Sequence, residues 1–292
     1  MKEMHKRALL YGGAVLTLSG LAWAWTTHER SADAMTLLSS ADVQLRFAHG
    51  IPALDQHGKP LPAREEMIAT AEANLATVER LEPGQACTAE FLGFAHMLRG
   101  RFAEAAAAYA RAQTCRDCGD EQREVLAFNQ ARMLAKAGQP EQALAVFAAS
   151  APALDARFGH QRSLEEATIL RGLGRLAEAE QRLEAVAADE RAAPMAWLQA
   201  GIGLLELGRS GPAAGVLERA AIKVPIADYH LALLKLRQGE VDSCLGLLER
   251  AARAQPAEVR RRLLAEADVW SAVAADARFQ ELTRLRTATP VR

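Results

Sequence analysis

Residues 100–112 read GRFAEAAAAYARA, and residues 174–186 read GRLAEAEQRLEAV. Each stretch opens on a glycine that closes one apolar run and begins another. Gly138, Gly208 and Gly239 stand the same way. The steps from Gly100 through Gly138, Gly174 and Gly208 to Gly239 are 38, 36, 34 and 31 residues, centred on the mid-thirties. Self-similarity at such a period is the signature of a repeat array.

Counting outward from each glycine fills in the unit. Five residues on stands a small side chain: Ala105, Ala143, Ala179, Ala213 and Cys244. Nine on stands a large apolar one: Tyr109, Phe147, Leu183, Leu217 and Leu248. Twelve on the side chain is short again, from Ala112 to Ala251, and Pro225 and Pro256 follow at seventeen. Seven back it is small: Gly93, Ala131, Ala167, Gly201 and Ala232. These offsets predict two helices of about a dozen residues joined at a glycine turn, with small residues where the helices cross and large ones filling the adjacent holes. Glycine supplies the left-handed conformation that ends a helix, and proline closes the second. One such hairpin cannot bury its apolar face alone, so several must stack.

Residues 86–258 therefore resemble tetratricopeptide repeats, with the two quoted turns, WLQAGIGLL (197–205) and Pro225 carrying the likeness. The resemblance implies an all-α, right-handed superhelical solenoid of five clear units. A degenerate unit precedes them: Ala71, Leu75, Val78 and Pro83 keep the second-helix offsets, but Glu66 stands where the glycine should be. The repeat array is thus expected over 63–259. Pro52, Gly58, Pro60 and Pro62 mark 26–62 as an irregular linker, and 260–286 reads as C-terminal capping helices with a polar outer face.

The start of the chain bears on its location. A basic tail, residues 1–7, precedes eighteen uncharged residues, 8–25, ALLYGGAVLTLSGLAWAW. At about 1.5 Å per residue, these reach across a hydrocarbon core. Lys2, Lys6 and Arg7 would hold the near end in the cytoplasm, while Trp23 and Trp25 suit the far interface. The expectation is a single-pass inner-membrane anchor with a periplasmic body. Signal-peptide cleavage near Ala24 would instead release that body to the periplasm.

Composition narrows the function. The 292 residues carry 35 basic and 36 acidic side chains, a formal net charge of −1, which lacks the basic excess of a nucleic-acid binder. No nucleophile elbow, phosphate loop, zinc-protease helix or calcium loop appears, and the seven histidines are scattered. No enzyme, cofactor, resident metal or small-molecule substrate is expected. The resemblance instead places a partner's peptide on the concave face lined by first helices. Its candidate lining is Glu90, Phe94 and Met97; Phe128, Arg132 and Lys136; Leu164 and Arg171; Leu198 and Ile202; Tyr229 and Leu233. That lining suits an apolar segment whose carboxylates pair with Arg132, Lys136 and Arg171. The expected role is a membrane-tethered scaffold that assembles or tethers an envelope complex, its protein partner unidentified.

Cys115-Arg116-Asp117-Cys118 opens an alternative, a metal- or redox-handling repeat protein. Residue 119 is Gly, so the motif is not a haem attachment site. In the repeat topology Cys87 opens a first helix, and the cysteine pair follows the antiparallel second helix. A disulfide from Cys87 to Cys115 or Cys118 is therefore expected in an oxidising compartment. A local Cys115–Cys118 link and fully reduced thiols stay open. Cys244, at a small core offset, reads as an inert packed thiol.

Overall fold

The computed structural model describes residues 32–52, 59 and 61–284. The basic tail (1–7), the apolar stretch (8–25) and the last eight residues lie outside them. Among the described residues no helix is long and apolar enough to cross a membrane. These residues are helical: α1 (Ala32–Gly50), α2 (Pro62–Leu81), α3 (Ala86–Leu98), α4 (Phe102–Gln113), α5 (Asp120–Lys136), α6 (Pro140–Ala149), α7 (Ala151–Gly172), α8 (Leu176–Ala188), α9 (Pro194–Glu206), α10 (Ser210–Ala221), α11 (Ala227–Arg237), α12 (Val241–Ala254), α13 (Pro256–Ala265) and α14 (Ala277–Arg284). A short 3-10 turn, Ser271–Val273, precedes α14. The chain divides into two compact units, 1–157 and 158–292, the boundary falling within the residues of α7.

The turns explain why the helices stop where they do. A helix leaves its last carbonyls without partners inside the helix. At the end of α3, the Gly100 N–H donates to the Met97 carbonyl at 3.0 Å, and the Arg101 N–H reaches back to His96 at 2.9 Å. This pair of bonds is the Schellman motif, and it requires a left-handed residue between the helices. Gly100 has φ +71°, and Gly138, Gly174, Gly208 and Gly239 have φ of +75 to +77°. All four repeat the same two bonds. At the start of the next helix a different device recurs: α2, α6, α9 and α13 carry proline in the first turn, where a missing N–H costs nothing.

The offsets from each glycine become the core. The side chains five on (Ala105, Ala143, Ala179, Ala213 and Cys244) are fully buried, and those nine on, from Tyr109 to Leu248, are buried with them. The small residues seven back are where the helices cross. A methyl group added at Gly201 of α9 would lie 2.6 Å from Leu217 Cγ of α10. One added at Gly93 of α3 would lie 2.8 Å from the Tyr109 ring of α4. Charge reinforces the packing in residues 32–157. Arg99, at the end of α3, bonds Glu65 at 2.6 Å and Glu72 at 3.0 Å on α2, and Arg101 also reaches Glu72. Arg64, buried on α2, donates to the Leu98 carbonyl at 2.6 Å.

The expected 26–62 linker is corrected by α1. Ala34, Leu38, Ala41, Leu45 and Ala48 recur at helical spacing and are buried in one cluster with Ile68, Leu75 and Val78 of α2 and Phe94 of α3. The degenerate unit is thus a full helix pair. Its glycine is missing because α2 starts at Pro62, so Glu66 lies inside the helix and not in a turn. In the described part of that segment only Ile51, Pro52, Lys59 and Leu61 lie outside a helix.

At the far end the cap begins at Pro256, four residues ahead of the expected boundary. Trp270 is fully buried against Tyr229, with ring centroids 5.3 Å apart, and Phe279 and Leu282 of α14 join the same cluster. The cap's surface is less polar than expected: Leu264 and Val269 are about half exposed.

Two glycines separate close approach from chain flexibility. Gly215, inside α10, has open space around it. Gly215→Ala should raise stability by about 0.5–1 kcal/mol through helix propensity. Gly201→Ala gains the same propensity but drives a methyl into Leu217, so it should lower stability by about 1–3 kcal/mol. Denaturant titration of the two variants checks both signs.

Candidate functional site

The first helices were expected to present their lining outward, and the structure corrects much of that row. Glu90, Phe94, Phe128, Leu164, Leu198 and Tyr229 are all buried. The reason is that a residue ten or six places before the turn glycine also faces helices of its own or an adjoining pair. Phe94 lies against the His49 ring of α1, with centroids 5.6 Å apart. Phe128 packs on Phe147 of α6 at 5.8 Å, with the Arg132 guanidinium 5.8 Å from its centroid. Tyr229 donates its hydroxyl to Glu266 at 2.9 Å and accepts from Trp270 Nε1 at 3.2 Å, so the cap covers it.

Met97, Arg132, Arg171, Ile202 and Leu233 stay half-buried, and Lys136 is exposed, its ammonium 5.5 Å from the Phe102 ring. Arg171 ion-pairs with Glu206 on α9. In residues 158–292 some apolar side chains of α9 and α11 stay accessible: Met195 is exposed, and Ile202, Leu233 and Leu236 are half-buried, the two leucines packing in part on the C-terminal cluster. On the same helices Arg237 Nη1 donates to the Leu205 carbonyl at 3.4 Å.

Several charged groups, most of them not flagged by the offsets, sit between the packed helices. Glu90 of α3 accepts from Gln122 Nε2 of α5 at 2.8 Å. Burial pushes its carboxyl above the usual range; the Gln122 bond opposes this, Asp42 on α1 adds to it, and Arg46 opposes it. In residues 158–292, Glu166 is 4% exposed between Arg162 on its own helix and Arg182 of α8, whose Nε lies 2.8 Å from Glu166 Oε2. Asp228, 8% exposed, binds Arg250 at 2.7 Å, and Arg219 lies 4.1 Å from the Trp197 ring centroid. One sequence signal could have found part of this. Arg219 and Arg250 stand eleven after their glycines, facing Trp197 and Asp228 eleven before; Arg111 holds the same place in the first clear unit.

Histidine chemistry is muted. His230 is pulled down to about 4 by burial and by Arg262, so it is neutral near pH 7. His160 lies 2.9 Å from Asp189, a carboxyl held low by the Arg191 backbone N–H and by the His160 and Arg191 side chains. Among the described residues no group of three or more His, Cys, Asp or Glu side chains could hold a metal ion, so the metal alternative finds no donor set there. The described cysteines are not joined in disulfides. Cys244 is fully buried, and burial raises its thiol to about 11.

Paired helices closed by a Schellman glycine, with small and large side chains interlocked at fixed offsets, define the unit. The repeat is tetratricopeptide-like. No family model matches the sequence, and no curated protein does. Among solved structures, the chain is similar to the Cut9–Hcn1 hetero-tetramer of the APC/C, with 14% identity and a TM-score of 0.48, covering 89% of this chain and 56% of that one. It is also similar to PilW, a widely conserved type IV pilus biogenesis factor, with 14% identity and a TM-score of 0.49, covering 83% of this chain and 97% of that one. The chain thus spans just over half of the Cut9 chain it matches. Likenesses of this size say nothing of partner or role.

The buried Glu90 makes stability depend on pH. A carboxyl whose folded pKa lies above its unfolded value binds more protons in the folded state, so stability falls as pH rises from the ordinary carboxylate range to the raised folded value. Glu90→Gln keeps the bond to Gln122 without the charge. Its melting temperature should exceed the parent's near pH 7, and the gap should close toward about pH 4. Melting curves across that range test it.

Proposed function

We propose that this chain is a non-enzymatic protein–protein interaction scaffold, tethered to the inner membrane by residues 8–25 with its repeat body in the periplasm. There it would assemble or tether an envelope complex by holding a partner's peptide segment on its first helices. The observation that carries the binding role is that Met195, Ile202, Leu233 and Leu236 of α9 and α11 keep accessible apolar surface, on helices that also carry Arg237 and the ion-paired Glu206. Such surface offers burial to an apolar segment, and the charged groups offer directional bonds to its polar groups. The tether rests on the uncharged run and the basic residues before it.

Both halves are open to test. A photo-crosslinking side chain at Ile202 or Leu233 should capture a discrete partner in intact cells, while one at Glu218, exposed on α10, should not. Ile202→Glu with Leu233→Glu should cut capture at least about tenfold, since burying an unpaired charge costs several kcal/mol. Undiminished capture would move the binding surface elsewhere. A reporter fused after residue 30 should be active only outside the cytoplasm, and cytoplasmic activity would overturn the tether.

A further inference from the structure

Three of the four cysteines gather at one end of the α3–α4–α5 stretch. Cys87 is the second residue of α3, Cys115 follows α4, and Cys118 precedes α5. Cys87 and Cys118 are buried, and Cys115 is half-buried. The connection between α4 and α5 is a closed turn, because the Cys118 N–H donates to the Cys115 carbonyl at 3.1 Å. A four-residue turn closed in this way brings its first and last Cα atoms within about 7 Å. A disulfide spans Cα separations of about 4.4–6.8 Å. The Cys115 Sγ points to the Arg111 carbonyl at 3.5 Å and the Cys118 Sγ to Gly119 at 3.7 Å, weak thiol bonds that are cheaply given up.

The same turn serves α3. Asp117, between the two cysteines, accepts the Ala86 N–H with both carboxylate oxygens, at 3.0 and 3.2 Å. Ala86 is the first residue of α3, whose opening N–H groups have no partner within the helix, and Gln85 before it makes no side-chain cap. The cap therefore comes from 31 residues further along the chain. Arg123 of α5 braces the turn by donating to the Cys118 carbonyl at 2.9 Å and the Gln113 carbonyl at 3.2 Å.

We propose that Cys115 and Cys118 form a thiol–disulfide pair whose oxidation staples the Asp117 turn over the start of α3. The oxidant is a small-molecule disulfide of the glutathione type. The Cys115 thiolate, its proton lost to solvent, attacks one oxidant sulfur and releases one thiolate. Cys118, deprotonated in turn, displaces the second, so one S–S bond forms in the chain, the oxidant's S–S bond is broken, and two small thiols leave. Burial and the Asp117 carboxylate raise both protein thiols, Cys118 to about 11, so exchange is slow at neutral pH and quickens as pH rises. That reactivity suits a structural staple better than a redox catalyst. The proposal stands apart from the scaffold reading, because it needs neither partner nor membrane.

The test incubates the full chain with glutathione disulfide near about pH 8, then alkylates, digests and weighs it. The fragment holding residues 115 and 118 should lose about 2 Da, the two thiol hydrogens. Two of the four thiols should vanish from titration. Amide exchange at Ala86 should slow. Cys87→Ser should behave as the parent, whereas Cys115→Ser and Cys118→Ser should show neither the mass loss nor the slowed exchange. A bridge from Cys87 to either loop cysteine, no mass loss at all, or a bridged turn with unchanged exchange at Ala86 would each overturn the proposal.

Discussion

The last carbonyls of a helix must find donors, and this chain solves that problem five times with one device. A glycine in the left-handed conformation lets its own N–H and the next one bond back into the final turn, from Gly100 to Gly239. The device also fixes the direction in which the chain leaves the helix. Each second helix then starts at the same place relative to the first, which is why a small side chain always falls five residues on and a large one nine on. The turn sets the register, and burial follows. Where the glycine is replaced, as at Glu66, the register is kept by other means: α2 starts early at Pro62, and α1 is tied to it by a shared apolar cluster.

Apolar burial is non-directional, so an array built on alanine and leucine alone could pack in more than one register. The charged groups inside these pairs restrict that choice. Glu166 between Arg162 and Arg182, Asp228 on Arg250, and Glu90 on Gln122 each need specific partners, because breaking a buried pair leaves an uncompensated charge. The same interactions contribute little net stability, and Glu90 subtracts from it near neutral pH. Their effect is selection: a slipped helix pair would keep most of its apolar contacts but would strand a carboxylate.

How much of this is legible in the sequence depends on the kind of signal. The turn glycines and core offsets are periodic, and five copies make a period visible, so helix pairs, crossings and the inert Cys244 all follow from counting. Helix α1 has the apolar spacing of Ala34, Leu38, Ala41, Leu45 and Ala48, but it is masked by the proline- and glycine-rich stretch after it and by the missing glycine. The lining was read poorly for a physical reason. The offsets that face outward in a lone helix pair also face the next first helix, and the sequence does not say which neighbour covers Phe94 or Tyr229. Single-copy features such as the Glu166 triad or the Asp117 cap have no period at all and emerge only when distant segments meet.

The buried row has a consequence for recognition. Phe94 and Phe128, and likewise Leu198 and Tyr229, are already in contact with protein, so their contact area is spent on folding and a partner gains nothing from them. On the scaffold reading proposed above, binding energy would come from side chains that still expose apolar surface in the folded chain, which moves the candidate contact from the aromatic positions to Met195 and Ile202, with Leu233 and Leu236 contributing what their packing on the C-terminal cluster leaves accessible. These are aliphatic side chains of modest size, so each contributes by area and none acts as a deep anchor. A face of that kind favours a long segment engaging several helices over a short motif held by one pocket. The ion pair of Arg171 and Glu206 then limits what may lie beside it, because a charge on the partner must compete with a bond already made within the chain.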